Sequence, residues 1–236
     1  MSDVLYILGQ GSRRFDKEVR LSLRSLEKNA KNLDRVLIVG NCPEWVQSVI
    51  HIPEEDKCFP FSNHIRKVLR AIEGGISDHF LLMNDDFYMM RTFDVDKYPY
   101  FIRGELFNYR QHGIYRKMLN NTVDILHKKG IEKVLAYNCH VPIIYNRDMF
   151  LDIKPLWQKW ERDDVGFSPR IVYGNLFVGH GEVIDDPKVF DDVMPKEIGA
   201  SGCISSHNNS VKMLNELEQI FYKPSKYERE NDDDKS

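Results

Sequence analysis

The chain has 236 residues, enough for one large α/β domain or two small ones. Its hydrophobic content of 42% and charged content of 29% belong to the soluble globular class. A net charge of −3 gives no electrostatic case for a dedicated nucleic-acid binder, although a local basic groove stays open. No apolar run approaches the ~18 residues of a membrane span. Met1-Ser2-Asp3 leads straight into an apolar run with no basic leader, so no signal peptide is expected. Cys42, Cys58, Cys139 and Cys203 are widely spaced without Cys-x-x-Cys, which favours free thiols in a reducing compartment.

Val4-Leu5-Tyr6-Ile7-Leu8 reads as a short buried strand, followed by the turn Gly9-Gln10-Gly11-Ser12. Gly9 and Gly11 let backbone approach a ligand closely, and Arg13 and Arg14 follow with phosphate-binding charge. No Gly-Lys-Ser/Thr follows, so this is not a P-loop, and a plain tight turn is the alternative. Val19, Leu23, Leu26 and Ala30 lie at helical spacing, which predicts a helix from Asp16, its N-cap, to about Ala30. Arg35-Val36-Leu37-Ile38-Val39 is the next strand, and the βαβ unit implies parallel pairing. Pro43-Glu44-Trp45-Val46 predicts a short helix, and Val49 to Ile52 a third strand. Ser62 or Asn63 then caps a helix with apolar face Ile65, Val68, Leu69 and Ile72. Its other face carries Arg66, Lys67 and Arg70, either a solvated surface or a cationic one, and Asn63 and His64 at its start can face a ligand.

His79-Phe80-Leu81-Leu82-Met83 reads as a buried central strand that ends in Asn84-Asp85-Asp86. Open α/β sheets bind ligands at the carboxyl ends of such strands. Two adjacent carboxylates there are costly unless a cation or donors meet them. Hard ions such as Mg²⁺ and Mn²⁺ take carboxylate oxygens and share their shell with substrate phosphates. Asp85 and Asp86 are therefore candidate metal ligands, and the alternative is a turn whose acids pair with Arg91.

The second half is less regular. Tyr98 to Phe101 and Leu106 to Tyr109 suggest a hairpin around Gly104 that walls a pocket or packs in the core. A helix is predicted from about Tyr115 to Lys128, ended by Gly130. Val134 to Pro142 reads as a strand broken at Pro142, with His140 before the break as a candidate general base. Asn146 starts another helix, and Arg170 follows Ser168-Pro169. His180 and His207 lie in polar loops and are candidates for a third metal ligand. Ile184 to Phe190 returns as a strand or turn, and a final helix carries Val211, Leu214, Leu217 and Phe221 before Pro224. Tyr227 to Ser236 is charged and expected to fray.

Several stretches together resemble one family. These are Arg20-x-Ser22 through Asn29, Val36 to Gly40 with Pro43-Glu44-Trp45, and Phe61-Ser62-Asn63. The others are Phe80 to Phe87 with its Asn-Asp-Asp, His140-x-Pro142, and Lys223-Pro224-Ser225-Lys226-Tyr227-Glu228. In order and content they resemble the Stealth proteins, which include capsule hexose-1-phosphate transferases. More widely they resemble nucleotide-diphospho-sugar transferases of the GT-A type, small bacterial or phage members among them. The resemblance implies a single α/β, Rossmann-like GT-A domain over residues 1–223, with a mixed, mostly parallel central sheet flanked by helices. Residues 1–90 would form the nucleotide-sugar half, 91–223 the acceptor half, and 224–236 a flexible tail. It implies Mn²⁺ or Mg²⁺ at Asp86 and Asp85; the third ligand is not among its matched positions, and His207 is the candidate taken from the polar loops. It assigns His140 to activation of the acceptor hydroxyl, with Asp85 and Arg170 beside it in the catalytic set. Its match at Asn84 implies a donor contact there, and the residues themselves add Gly9, Gly11, Arg13, Arg14 and Asn63 as candidate donor contacts. The family's first turn usually reads aromatic-Val-Asp-Gly, and here it is Leu8-Gly9-Gln10-Gly11-Ser12, which favours a glycosyltransferase over a phosphotransferase. The expected donor is a nucleotide-diphospho-sugar. The expected acceptor is a glycan or a hydroxymethylated base of phage DNA, in the cytoplasm of a bacterial or phage-infected cell. An inactive nucleotide-sugar-binding module of the same fold is the alternative of another class.

Overall fold

Alternation within the apolar runs sends successive side chains to opposite faces of one sheet, and helices cover both faces. The computed structural model describes residues 1–9, 16–57, 59–106, 113–158, 165–207 and 210–229. Strand β1 (Ser2–Leu8) leads through helix α1 (Lys17–Asn29) and the short β2 (Ala30–Lys31) to β3 (Leu33–Gly40) and β4 (Ile50–Ile52). Helix α2 (Pro60–Glu73) then leads to β5 (His79–Met83). β1 pairs in parallel with β3 on one side and β5 on the other, and β4 extends the sheet beyond β3. Val4, Tyr6, Ile38, Leu81 and Met83 pack with Val19, Leu23 and Leu26 of α1. Leu5, Leu37, Val39, Phe80 and Leu82 pack on the opposite face with Ile65, Val68 and Leu69 of α2.

Beyond β5 the chain changes character. β6 (Phe87–Met89) is followed by β7 (Phe93–Asp94) and β8 (Phe101–Ile102), then helix α3 (Gly113–Lys128) and β9 (Ile143–Asn146). β9 pairs antiparallel with β5 and completes the order β4-β3-β1-β5-β9. The short helices α4 (Arg147–Leu151), α5 (Lys154–Gln158) and α6 (Pro169–Tyr173) come next, and a π-helical turn over Gly174–Val178 prolongs α6. β10 (Glu182–Val183) pairs with β8. β11 (Lys188–Val189) and β12 (Cys203–Ser206) join β6 in a second, three-stranded sheet. Helix α7 (Val211–Ile220) covers that sheet through Met213, Leu214 and Leu217 against Tyr88, Ile204 and Leu21.

Several expectations need correction. Pro43 to Val46 forms turns rather than a helix, and Val46 instead bridges Glu228. Helix α2 starts at Pro60, whose fixed φ suits the first helical position, so Asn63 sits one turn in rather than at the cap. Phe101 and Ile102 pair with β10 instead of a hairpin partner, and residues 107–109 of that reading lie outside the described residues. Val134 to Pro142 is extended chain with a single bridge, Glu105 to Leu135. The true strand is the four residues after Pro142, where backbone N–H groups are again available to β5. In α7 the inward residue is Met213, while Val211 is exposed. The segment 224–229 does not fray, because Tyr227 and Glu228 are buried against the first half of the chain. Its counterpart 230–236 lies outside the described residues.

Candidate active site

Asn84, Asp85 and Asp86 link β5 of the large sheet to β6 of the small one. Their position is fixed from α1, whose polar residues satisfy the backbone edge of β6. Ser22 Oγ donates to Phe87 O at 2.6 Å, Met89 N–H donates to Ser25 Oγ at 3.0 Å, and Asn29 donates to Met89 O at 2.6 Å. The opposite edge of β6 pairs with β12. Asp86 Oδ2 accepts from Lys188 Nζ at 2.6 Å and from Ser205 Oγ at 2.8 Å. Arg91, the alternative partner from sequence, donates instead to Ile198 O. Asp85 keeps an exposed surface, yet dense surrounding protein and the like charges of Asp86 and Glu18 push its pKa up to about 7.

The segment after β10 ties this turn to the candidate base. The His140 ring Nδ1 lies 2.9 Å from Asp186 Oδ2, and the His140 backbone N–H donates to Asp186 Oδ1 at 3.0 Å. Arg103 stands 3.4 Å from the same carboxylate. Burial works against ionisation of Asp186, but the bonds from His140 and the charge of Arg103 outweigh it and hold the pKa below the usual range. An ionised carboxylate only accepts, so in the neutral ring the His140 proton sits on Nδ1 and the lone pair on Nε2. The imidazole is 38% exposed, so a substrate can reach that lone pair. Asp186 and Lys188 are two residues apart, one holding His140 and the other Asp86. Pro187 O accepts from Ser205 N–H at 3.1 Å, which docks the segment on β12. This segment also lines an open cleft of about 820 Å³, with Phe190, Met194, Cys203 and Ile204 among its other walls.

A third group lies at the carboxyl end of β1. Lys67 Nζ donates to Leu8 O and pairs with Asp56, both at 2.6 Å. Gly9 stands close to Asp56: an added Cβ would lie 3.3 Å from its carboxylate, a tight contact that the side chain would have to ease. His64, on the first turns of α2, has a buried Nε2 with no hydrogen-bond partner. Burial, then the charges of Arg170 and Lys67, push its pKa down to about 3. Arg170, on α6, donates through Nη2 to Val141 O beside His140, and its Nε is buried without a partner.

The sequence-predicted residues divide accordingly. Asp86 is joined to His140 through the 186–188 segment, and Arg170 reaches the residue after His140. Asn63 accepts from Lys57 N–H and lies beside His64. Asn84 O accepts from Phe87 N–H within the carboxylate turn. Gly11, Arg13 and Arg14 lie outside the described residues. His207 follows β12, with its ring centroid 5.5 Å from that of Phe190. His180 lies at the β8–β10 edge, edge-on to Tyr100. The cations of α2 are not a free basic face: Arg66 and Arg70 pair with Glu54, and Lys67 is buried. Sequence reasoning missed Asp186, Lys188 and Ser205, and singled out His64 only as a residue able to face a ligand at the start of a helix. The visible signal was the run Asp185-Asp186-Pro187-Lys188, charged residues around a proline where a strand was expected to return.

The donor set suits a hard divalent ion in part. Two adjacent carboxylates offer oxygen ligands, and the surrounding protein first, then the like charges of Asp86 and Glu18, raise the pKa of Asp85. Among the described residues, however, no group of three His, Cys, Asp or Glu side chains is placed to hold a metal. A bound ion would therefore complete its shell from phosphate oxygens and water.

No protein-family model matches the chain. A 94-residue stretch is 31% identical to the capsular polysaccharide phosphotransferase SacB of Neisseria meningitidis serogroup A. The match covers 35% of this chain and 17% of that protein. The counterpart from serogroup A, serotype 4A matches to the same extent. Among solved structures, the galactosyltransferase LgtC in complex with donor and acceptor sugar analogs shares the fold, with a TM-score of 0.51 and 11% identity. That likeness covers 94% of this chain and 96% of the other. The architecture is that of a GT-A glycosyltransferase: a central, mostly parallel sheet with helices on both faces.

Proposed function

We propose that the chain is a transferase that moves a sugar from a nucleotide-diphospho-sugar to a hydroxyl of a glycan acceptor. One observation carries the reading: Asp186 and Lys188, two residues apart, hold His140 and Asp86 at one site. The fold and the stretch shared with a capsular polysaccharide phosphotransferase support it.

In this reading His140 Nε2 takes the proton of the acceptor hydroxyl as its oxygen attacks C1 of the donor sugar. The C1–oxygen bond to the diphosphate breaks, and the nucleoside diphosphate leaves with the electron pair. Asp186 fixes the imidazole tautomer and stabilises the imidazolium. Gly9, Gly11, Arg13, Arg14, Asn63 and Asn84 would contact the donor. Mn²⁺ or Mg²⁺, held by Asp85 and Asp86 with His207 as a further candidate, would neutralise charge on the departing diphosphate. Lys188 already brings one positive charge to Asp86. The paired cations of α2 argue against a DNA acceptor held on that face.

The shared stretch with SacB favours a second reading, attack at the β-phosphorus with transfer of sugar-1-phosphate. Product analysis by mass spectrometry separates the two. With Mn²⁺, a panel of nucleotide sugars and a glycan acceptor, glycosyl transfer releases nucleoside diphosphate and adds one sugar. Phosphotransfer releases nucleoside monophosphate and adds a sugar phosphate. Asp86→Asn should fold normally and lose about 10²–10³-fold in turnover. Full activity in a folded Asp86→Asn protein would remove the site assignment.

A further inference from the structure

Arg170 is an unusual cation for its setting. Its helix is started by Ser168, whose Oγ accepts from Ile171 N–H, with Pro169 in the first turn. Nη2 donates to Val141 O, and Nε is buried and donates to nothing. Among the described residues no carboxylate pairs with Arg170. A largely enclosed guanidinium without a counter-charge is strongly disfavoured unless a ligand supplies one. Lys67 differs, because Asp56 neutralises it.

Two further polar atoms near Arg170 are in the same condition. His64 Nε2 is buried without a partner, and the charges that bear on this ring are Arg170 and Lys67, both positive. The hydroxyl of Tyr145, in the field of Arg170, is also buried without a partner. Buried polar atoms are nearly always satisfied, and unsatisfied ones around one cation, with the His64 proton on Nε2, mark the place of an absent acceptor. A phosphoryl group offers that acceptor: it carries negative charge and several oxygens, and guanidinium groups bind it well.

We propose that Arg170 and His64 form a subsite for a phosphoryl group of the substrate, next to His140. Val141, whose carbonyl fixes Arg170, is the residue after His140, so the phosphoryl group would lie close to the transferring centre. The assignment to substrate rests on the transferase reading. Either the donor's sugar-linked phosphate or a phosphate on the acceptor has the required chemistry.

The test uses the full chain and NMR signals of the Arg170 Nε–H and the His64 ring. Inorganic phosphate, pyrophosphate, a sugar-1-phosphate and an uncharged sugar are titrated separately. The phosphate-bearing probes should shift both signals to saturation, and the uncharged sugar should not. Phosphate should also raise the Tm of the wild-type chain by linkage. In Arg170→Gln and His64→Gln the affinity should fall about tenfold or more, as expected for loss of a charge-assisted hydrogen bond. If Arg170→Gln fails to fold, Arg170→Lys should retain part of the binding. Competition between sugar-1-phosphate and nucleoside diphosphate would identify the donor phosphate, and independent binding an acceptor phosphate. Wild-type signals unmoved by saturating phosphate, pyrophosphate and sugar-1-phosphate would overturn the proposal and leave the space to ordered water. Turnover without these shifts removes the subsite and keeps the transferase. Shifts without turnover do the reverse.

Discussion

At the residue scale, Asp85 holds a charge that the folded state resists. Its carboxyl ionises near 3.8 in the unfolded chain and near 7 in the folded one. The folded state therefore binds the proton more tightly. Stability from this group is complete below about pH 4 and declines as pH rises toward 7. Asp85→Asn removes the ionising group, so it should raise the Tm of the metal-free protein more at pH 8 than at pH 4. Equal gains at both pH values would refute the shift. Direct binding of Mn²⁺ by calorimetry should also tighten as pH rises through 7, since the ion needs the carboxylate. The base side makes a second prediction. Asp186→Asn keeps the shape but can hold the wrong imidazole tautomer, and His140→Ala removes the base. Both should lower turnover, the latter by about 10²–10⁴-fold, with donor KM little changed. A large rise in donor KM with turnover intact would instead place His140 in donor binding. Asp86 and His140 were legible because carboxylates at the end of an apolar strand and a histidine before a break are unusual in themselves. Asp186 and Lys188 were not, because their meaning lies in partners 46 and 102 residues away.

At the scale of elements, α1 carries more than an apolar stripe. Its Leu and Val residues pack on the sheet, Ser22, Ser25 and Asn29 hold β6, and Arg24 faces the chain's last described segment. Arg24 meets both oxygens of Glu228 at 2.7 Å, with side chains 10% and 5% exposed. Glu228 also accepts from Ser225 N–H and Oγ. Glu228→Ala leaves the largely enclosed guanidinium without a counter-charge and with only the Phe221 carbonyl as partner, which should cost about 3–5 kcal/mol in urea unfolding. A change below ~1 kcal/mol, the range of exposed pairs, would mean the segment is not latched there. Helical periodicity made α1, α2, α3 and α7 readable. It could not show that the first and last resemblance blocks touch, because a salt bridge over 204 residues leaves no local pattern. The run Val134 to Val141 misled for the converse reason. It is apolar because it is buried, with Ala136, Tyr137 and Cys139 enclosed, but its hydrogen bonds run to residues 103–106 and to Asn175 rather than to a sheet.

For the whole molecule, the expected division at residue 90 into a nucleotide half and an acceptor half meets no seam in the structure. β9, from the second half, forms the outer edge of the large sheet beside β5. β12 pairs with β6, and α7 covers Leu21 of α1 and Tyr88 of β6. The carboxylate turn between β5 and β6 is the crossing point, so its geometry depends on both halves at once. A fragment of residues 1–92 keeps β1, β3, β4, β5, α1 and α2, which is a complete βαβ-type order by local pattern. It leaves the free edge of β5, the pairing edge of β6 and the buried Arg24 without partners. Exposed strand edges and an unpaired cation of this kind favour association over folding. The fragment should therefore aggregate or show poorly dispersed NMR signals, even though its local sequence signals are the strongest in the chain. Co-expression with residues 93–236 should restore dispersion if complementation occurs through those edges. A monomeric, cooperatively unfolding 1–92 fragment would show that the first half is a domain in its own right, and that the site is assembled between two stable units.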